Sequence, residues 1–131
     1  MADVTDESQV SRAFETRWGA LEVLVNAAGP VDIGIAGFDE LDDDEWHATF
    51  DVGTLSAVRC VRCALPLLRR GEFDRIVNIS ARSTKRQSRG LIAYTASKAA
   101  LTSLTKNTSQ SLAGENILVN TVSPGLSCRK G

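Results

Sequence analysis

The stretch RIVNISARSTKRQSRGLIAYTASKAALTSLTK, residues 75–106, predicts a buried strand, a polar loop and a helix, in that order. The strand is RIVNIS at 75–80, whose apolar, β-branched residues favour burial in a sheet covered by helices. The helix spans residues 93–113, with leucines among its apolar positions, and Gly114 is placed to end it. A strand that leads into a helix is the first half of a strand–helix–strand unit of a parallel sheet.

The same alternation extends over the rest of the chain. Strands are predicted at residues 21–29, LEVLVNAAG, and 117–122, ILVNTV, and further helices at 6–18 and 42–71. Helix followed by strand three times indicates an α/β protein whose parallel strands are joined by right-handed crossovers. We therefore expect part of a doubly wound parallel sheet, with three strands, helices on both faces and a single domain over residues 1–131.

Both of these additional helices carry recognisable signals. Asp6 or Thr5 can cap the first helix, whose apolar positions include Trp18. In the longer helix, Gly53 is a weak point, and Pro66 should bend the helix or end its first part.

Composition and charge exclude several classes of protein. The chain has 131 residues, of which 43% are hydrophobic and 24% charged, and its net charge is −1 at pH 7. This is an ordinary globular composition without a basic field for nucleic acid or acidic membranes. No apolar run reaches the roughly 18 residues of a membrane span, and the acidic, polar N-terminus is unlike a secretory signal. We expect a cytoplasmic protein with no nucleic-acid or membrane partner.

The cysteines favour neither a disulfide framework nor a metal site. There are three, Cys60, Cys63 and Cys128, and an odd number without a secretion signal argues against structural disulfides. Cys60 and Cys63 form a C-x-x-C motif inside a predicted helix, and no second Cys/His pair completes a metal site. We interpret them as small, partly buried helix residues.

Tyr94 and Lys98 are four residues apart at the start of the helix that follows the polar loop. Positions i and i+4 share one face of a helix, about 5–6 Å apart at Cβ. A tyrosine has a pKa near 10, and a nearby ammonium group stabilises the phenolate and lowers that value. Such a pair can exchange a proton with an alcohol or ketone oxygen. When the spacing is considered alone, a surface tyrosine beside a solvated lysine is the favoured interpretation.

The order of the motifs around this pair resembles the short-chain dehydrogenase/reductase family. LVNAAG, IVNIS, YTASK and ILVNTVSPG follow one another at the family's distances, from about Asp3 to Gly125, and NAAG and YTASK are the most specific. The resemblance implies a Rossmann-type fold with NAD or NADP at the carboxyl ends of the strands. It also implies hydride transfer between that cofactor and a secondary alcohol or ketone. A homo-oligomer formed through helices 42–69 and 93–113 is implied as well.

The resemblance assigns roles to individual residues. Tyr94 would be the acid–base, and Lys98 would lower its pKa and bind the nicotinamide ribose. By the same resemblance, the cofactor contacts fall on Asp3, Val4, Asn26, Ala27, Ala28, Gly29, Tyr94, Lys98, Pro124 and Gly125. Asp3 would lie beside the adenine, and a helix cap is the alternative interpretation of that residue.

The serine of the family's site is replaced here. The family places it thirteen residues before the tyrosine, where this chain has Ala81. Ser83, in the loop, is the first candidate to supply a hydroxyl to the substrate oxygen. Ser80, which should point to the other face of its strand, is the second.

Other departures concern the cofactor and the ends of the family pattern. The family's glycine-rich TGxxxGxG turn, which holds the pyrophosphate at a helix N-terminus, does not occur in the 131 residues. Gly53 stands where the family has an asparagine of the proton relay. The pattern also stops soon after Gly125, so we expect a chain truncated at both ends relative to the family. The alternative function is a non-catalytic remnant that at most folds and associates.

The loop between the second strand and the last helix is strongly basic. Its sequence RSTKRQSR contains Arg82, Lys85, Arg86 and Arg89. By the resemblance this loop lies near the substrate, which raises the alternative of an anionic substrate. A solvated loop is the simpler interpretation of such a charge run.

Overall fold

The computed structural model describes residues 2–15, 19–30 and 36–125. The helices are α1 (Glu7–Glu15), α2 (Asp43–Phe50), α3 (Ser56–Leu68) and α4 (Ile92–Leu112). The strands are β1 (Val23–Asn26), β2 (Asp74–Ile79) and β3 (Ile117–Val122). Short helical turns are present at Asp51–Leu55, Arg82–Thr84 and Ala113–Glu115.

The three strands form one parallel sheet in the order β1-β2-β3. Val25 of β1 lies opposite Val77 of β2, and Val77 lies opposite Asn120 of β3. The predicted α/β fold with a three-stranded parallel sheet is confirmed. The apolar, β-branched runs located all three strands, since this composition suits a pleated surface packed against helices.

The described helices cover one face of this sheet. Along β2, Asp74, Ile76 and Asn78 are buried, whereas the residues between them are only half-buried. On the opposite face, Val23 and Val25 are 51% and 55% exposed. This differs from the expected helices on both faces. Right-handed crossovers that step across a sheet in one direction place their helices on the same side, and the strand order here steps in one direction.

The core lies between the covered face of the sheet and helices α3 and α4. Its buried members are Ala64, Leu68, Ile76, Leu112, Ile117 and Val119. Phe14 of α1 and Leu24 of β1 pack against this cluster. Leu101 of α4 is only 2% exposed and lies on the buried side of the helix.

The helix predicted over residues 42–71 is interrupted in its middle. Asp42 caps α2 through a capping box with Glu45, and a π-helical turn at Asp51–Leu55 separates α2 from α3. The interruption falls on the predicted weak point, Gly53. Pro66, by contrast, neither ends nor splits α3, which continues to Leu68.

The N-terminal helix is capped by Asp6, one of the two predicted candidates. The Asp6 carboxylate accepts hydrogen bonds from the backbone N–H groups of Ser8 and Gln9, and bonds to these two residues lower its pKa to about 2. Trp18, predicted in this helix, lies outside the described residues.

The C-x-x-C pair lies inside a helix, as predicted. Cys60 and Cys63 are half-buried free thiols in α3, and burial raises the pKa of both. Cys128 lies outside the described residues. Within residues 2–15, 19–30 and 36–125, no group of three His, Cys, Asp or Glu side chains approaches metal-binding geometry. The helices described over those ranges are too short or too polar to cross a membrane.

Candidate active site

Lys98 is fixed at the carboxyl ends of two neighbouring strands. Its Nζ donates to the backbone oxygens of Ala28, just beyond β1, and Ile79, the last residue of β2, at 3.3 and 3.0 Å. The residue is only 3% exposed, and this burial lowers the pKa of the ammonium. An ammonium has three N–H donors, so one remains for a further acceptor.

Tyr94 lies one turn before Lys98, in the first turn of α4. Its ring lines two cavities. The first, of about 310 Å³, lies against Pro30, Leu41 and Ala48. The second, of about 530 Å³, reaches Pro124 and Gly125, which follow β3. Over the described part of the chain, the Tyr94 hydroxyl has no hydrogen-bond partner, so it is free to bond to a ligand.

The two candidate serines lie in different environments. Ser80 is buried against α4, where its Oγ donates to the Lys98 carbonyl at 3.0 Å and lies 2.8 Å from the Thr102 hydroxyl. Ser83 lines the larger cavity together with Tyr94. The Ser83 Oγ is buried and has no hydrogen-bond partner. The structure therefore brings Ser83 to the cavity that Tyr94 lines, and it holds Ser80 in the packing of α4.

Of the residues around the expected cofactor position, some are accessible at the end of β1 and one is buried in the packing. Gly29 lies directly beside Lys98, because a Cβ on Gly29 would be 3.4 Å from the Lys98 Nζ. Ala27 and Ala28 are exposed at the end of β1. Asn26 is buried, and its amide nitrogen donates to the Asn78 side chain at 2.8 Å. Its amide is thus part of the sheet–helix packing.

Asn78 was missed by the sequence analysis. It is 2% exposed, accepts from Asn26 and donates to the Thr105 hydroxyl of α4 at 2.8 Å. This chain of hydrogen bonds joins β1, β2 and α4 beneath the site. An asparagine inside an otherwise apolar strand was the signal available in the sequence.

Asp3 and Val4 lie at the entrance to α1. The Asp3 carboxylate accepts from the backbone N–H and hydroxyl of Thr5, at 2.8 and 2.7 Å, and these bonds lower its pKa. The Val4 carbonyl accepts from Arg59 of α3. Asp3 therefore shapes the turn before the helix, while Asp6 is the helix cap.

Gly53 and Ser97 pack closely between the interrupted helix and α4. Ser97 is fully buried, and its Oγ donates to the Tyr94 carbonyl at 2.8 Å. A Cβ on Gly53 would lie 2.5 Å from the Ser97 Oγ and 2.9 Å from its Cβ. Thr54 donates to the Ser97 carbonyl at 2.7 Å. Any larger residue at position 53, including the family's asparagine, would thus clash with the Ser97 side chain unless one of the two moved. Sequence reasoning did not identify Ser97.

Comparison of the sequence with known proteins identifies the family of the chain. A model of the short chain dehydrogenase family matches residues 1–127. A short-chain type dehydrogenase/reductase from Picea abies is 38% identical over 127 residues, which cover 95% of this chain and 47% of the relative. The chain spans about half the length of the curated relatives it matches.

Solved structures give the same result. A short-chain dehydrogenase from Streptomyces avermitilis superposes with a TM-score of 0.86 at 30% identity, over 98% of this chain and 47% of the other. A short-chain dehydrogenase/reductase from Burkholderia xenovorans superposes with a TM-score of 0.89 at 28% identity, over 98% and 51%. The chain therefore belongs to the short-chain dehydrogenase family of oxidoreductases.

Proposed function

We propose that this chain supplies the acid–base half of a site that moves hydride between NAD or NADP and a secondary alcohol or ketone. One observation carries the proposal. The Lys98 ammonium is fixed at the carboxyl ends of β1 and β2, with Tyr94 one helical turn away on a cavity wall. Ligands of open α/β sheets bind at that edge.

The residues around Lys98 fit the nicotinamide end of such a cofactor. Gly29 keeps the space beside the Lys98 Nζ free of a side chain, since a Cβ there would lie 3.4 Å from that atom. Exposed Ala27 and Ala28 allow a close approach to the end of β1. Gly125 offers a second wall without a side chain. When bound, the nicotinamide supplies the hydride acceptor or donor.

The side chains of this chain would handle the proton. In the direction of alcohol oxidation, Tyr94 takes the hydroxyl proton of the substrate, and in reduction it returns a proton to the carbonyl oxygen. Lys98 is the residue assigned to favour this exchange, since a nearby ammonium group stabilises a phenolate in general. Ser83 is the candidate hydroxyl for the substrate oxygen, since its Oγ has no partner and the residue lines the same cavity.

The phosphate end of the cofactor has no counterpart in the sequence of this chain. A glycine-rich turn at a helix N-terminus supplies most fixed contacts to a pyrophosphate, and TGxxxGxG is absent from residues 1–131. We therefore expect NADH and NADPH to bind the isolated chain weakly.

The test supplies that turn. Residues 1–127 replace the aligned segment of the Picea abies relative, and the chimera is assayed for nicotinamide reduction with NAD or NADP and matched secondary, primary and tertiary alcohols. We expect turnover with secondary alcohols. A folded chimera, checked by its melting transition, that oxidises none of the alcohols with either cofactor would contradict the proposal.

A second candidate function is a folding and association module without catalysis. The uncovered face of the sheet favours it, because that face presents a row of large apolar side chains. These are Val23, Val25, Leu118 and Val122, each 45–55% exposed. Such an apolar surface needs a cover. We propose that copies of the chain associate, through this face or through α3 and α4. Light scattering after size exclusion tests this, and a monodisperse mass of about 14 kDa would argue against it.

A further inference from the structure

Two arginines line the larger cavity beside Tyr94. The side chains of Arg82 and Arg86 belong to its wall, together with Ser83, Ser88 and Pro124. No described residue that lines this cavity is acidic. A cavity of about 530 Å³ is within the usual range for a small-molecule site, about 300–1,000 Å³.

The local backbone places both arginines on one side of the loop. Thr84 donates its backbone N–H and its hydroxyl to the Ala81 carbonyl, which starts a helical turn. The backbone N–H of Arg86 then donates to the Arg82 carbonyl at 3.1 Å. This bond closes one turn with Arg82 and Arg86 at its two ends, and both residues line the same cavity.

Among the described residues, these two arginines differ from three arginines in or just after α3. Arg59, Arg62 and Arg69 each form an ion pair with a carboxylate. Within the described residues, the guanidinium groups of Arg82 and Arg86 have neither an ion pair nor a hydrogen bond. A guanidinium presents five N–H donors in a planar fork that matches a carboxylate or phosphate. Two such unpaired groups in the lining of one cavity have the chemistry that an oxyanion would require.

Arg82 also lies next to the part of the cavity where the proposed reaction would occur. A Cβ on Gly125 would be 3.9 Å from the Arg82 Nη1, so the guanidinium is beside the segment that follows β3. Gly125 and Tyr94 line the same cavity. A group bound by Arg82 is therefore held in the cavity that contains the proposed acid–base.

We propose that the substrate carries an oxyanion group, either a carboxylate or a phosphate ester, and that Arg82 and Arg86 bind this group. Tyr94 then contacts the alcohol or carbonyl oxygen of the same substrate. This proposal rests on the proposed function. The substrate class is then a small hydroxy or oxo acid, or a phosphorylated hydroxy ketone. The basic loop becomes a specificity element for that group.

The test is a binding measurement that does not require turnover. The chain is titrated by calorimetry or NMR with 4-oxopentanoate and its methyl ester, and with hydroxyacetone phosphate and hydroxyacetone. We expect the anion of at least one pair to bind more tightly than its neutral partner. The pair with the larger ratio identifies carboxylate or phosphate as the recognised group.

Three variants localise the effect. Arg82→Gln and Arg86→Gln should each weaken binding of the preferred anion by about tenfold, as expected for loss of one charge-assisted pair, and leave the neutral compound unchanged. Arg89→Gln is the matched control, because it removes one charge from the same loop at an exposed position that does not line the cavity.

Three results would overturn the proposal: equal affinity for anion and neutral partner in both pairs, binding of neither, or an equal loss with Arg89→Gln. Its failure is distinguishable from failure of the proposed function. Anion binding through Arg82 and Arg86 in a protein without turnover rejects only the hydride transfer. Turnover that prefers neutral ketones rejects only the anionic substrate.

Discussion

Two groups of polar side chains near α4 differ in whether their hydrogen bonds are made within the protein. Beneath the helix, toward the sheet, the paired group consists of Asn26, Asn78, Ser80, Lys98 and Thr105. On the cavity wall, the group without side-chain partners among the described residues consists of Arg82, Ser83, Arg86 and Tyr94. The paired group holds helix and sheet together, and the unpaired group is available for a ligand.

This difference has an energetic basis. A net hydrogen bond contributes about 0.5–1.5 kcal/mol, whereas a buried polar group that loses its partner costs about 1–3 kcal/mol. Substitutions in the paired group should therefore reduce stability, and substitutions in the unpaired group should reduce binding or turnover at unchanged stability.

The largest effect is expected at Tyr94, in the unpaired group. Tyr94→Phe removes the hydroxyl and keeps the ring, and loss of a general acid–base typically lowers the rate about 10²–10⁴-fold. Steady-state turnover by the chimera, with its melting temperature as the folding control, measures this. Retention of more than about a tenth of the rate would assign the proton transfer to another group.

At Asn78, in the paired group, we expect a loss of stability. Asn78→Ala leaves the buried Asn26 amide without its acceptor and removes the bond to the Thr105 hydroxyl, which should destabilise the chain by about 1–3 kcal/mol. Asn120→Ala, at an exposed position of β3, is the control and should stay within about 0.5 kcal/mol of wild type. Urea unfolding measures both, and equal effects would mean that the buried network adds nothing.

Gly53 tests whether close packing fixes α4 beside the paired group. Gly53→Ala places a methyl group against Ser97 and should cost about 1–3 kcal/mol. Adding Ser97→Ala removes the nearer of the two contacts, so the double variant should lose less than the sum of the single variants. Gly114→Ala is the control, because a Cβ there has nothing within 4 Å. A neutral Gly53→Ala would show that the contact relaxes freely.

The two serines compare the groups most directly. Ser80→Ala breaks the bonds to α4 and should destabilise the chain by about 1 kcal/mol, while Ser83→Ala should leave stability unchanged or raise it. If Ser83 serves the substrate, only its variant reduces turnover. Thermal unfolding and turnover of both variants decide this, and the reverse pattern would transfer the role to Ser80.

The smallest effect is a pH dependence at Lys98. Burial lowers the pKa of Lys98 below the ordinary 10.5, so the folded chain holds this proton less tightly than the unfolded chain. Burying the charged ammonium therefore lowers the free energy of unfolding. This loss of stability is fully present below the folded-state pKa and is relieved as pH rises from that value toward 10.5. The stability of wild type relative to Lys98→Met should therefore rise through this alkaline window. Lys106→Met, at an exposed position of the same helix, is the control, and a flat or falling difference would contradict the burial penalty.

Much of the fold was predictable because it rests on local signals. Strand β3 was found at the predicted residues, 117–122, and α4 begins and ends one residue before the prediction. Capping by Asp6 was likewise among the sequence-based expectations. These features depend on residues close together in the chain, where periodicity, caps and β-branching act directly.

Long-range features were predicted less well. The sequence could not show that the helices lie on one face, since this depends on the direction in which the crossovers step. It also left open whether Ser80 or Ser83 reaches the cavity, because one residue of register reverses the direction of a strand side chain. Asn78 donates to Thr105, which is 27 residues away in the chain, and the Ser97 carbonyl accepts from Thr54, which is 43 residues away. Local patterns in the sequence do not reveal such partners.

The sequence by itself determined that a tyrosine and a lysine occupy one face at the start of a helix after a buried strand, because a four-residue spacing fixes that geometry. Only the tertiary structure decided which polar groups are paired. Lys98 donates a hydrogen bond to the Ala28 carbonyl, 70 residues away in the chain, whereas Arg82 and Arg86 form no ion pair with a described carboxylate. Pairing depends on which elements the fold brings together, and this is why the division between groups that stabilise the fold and groups left for a ligand appears only in three dimensions.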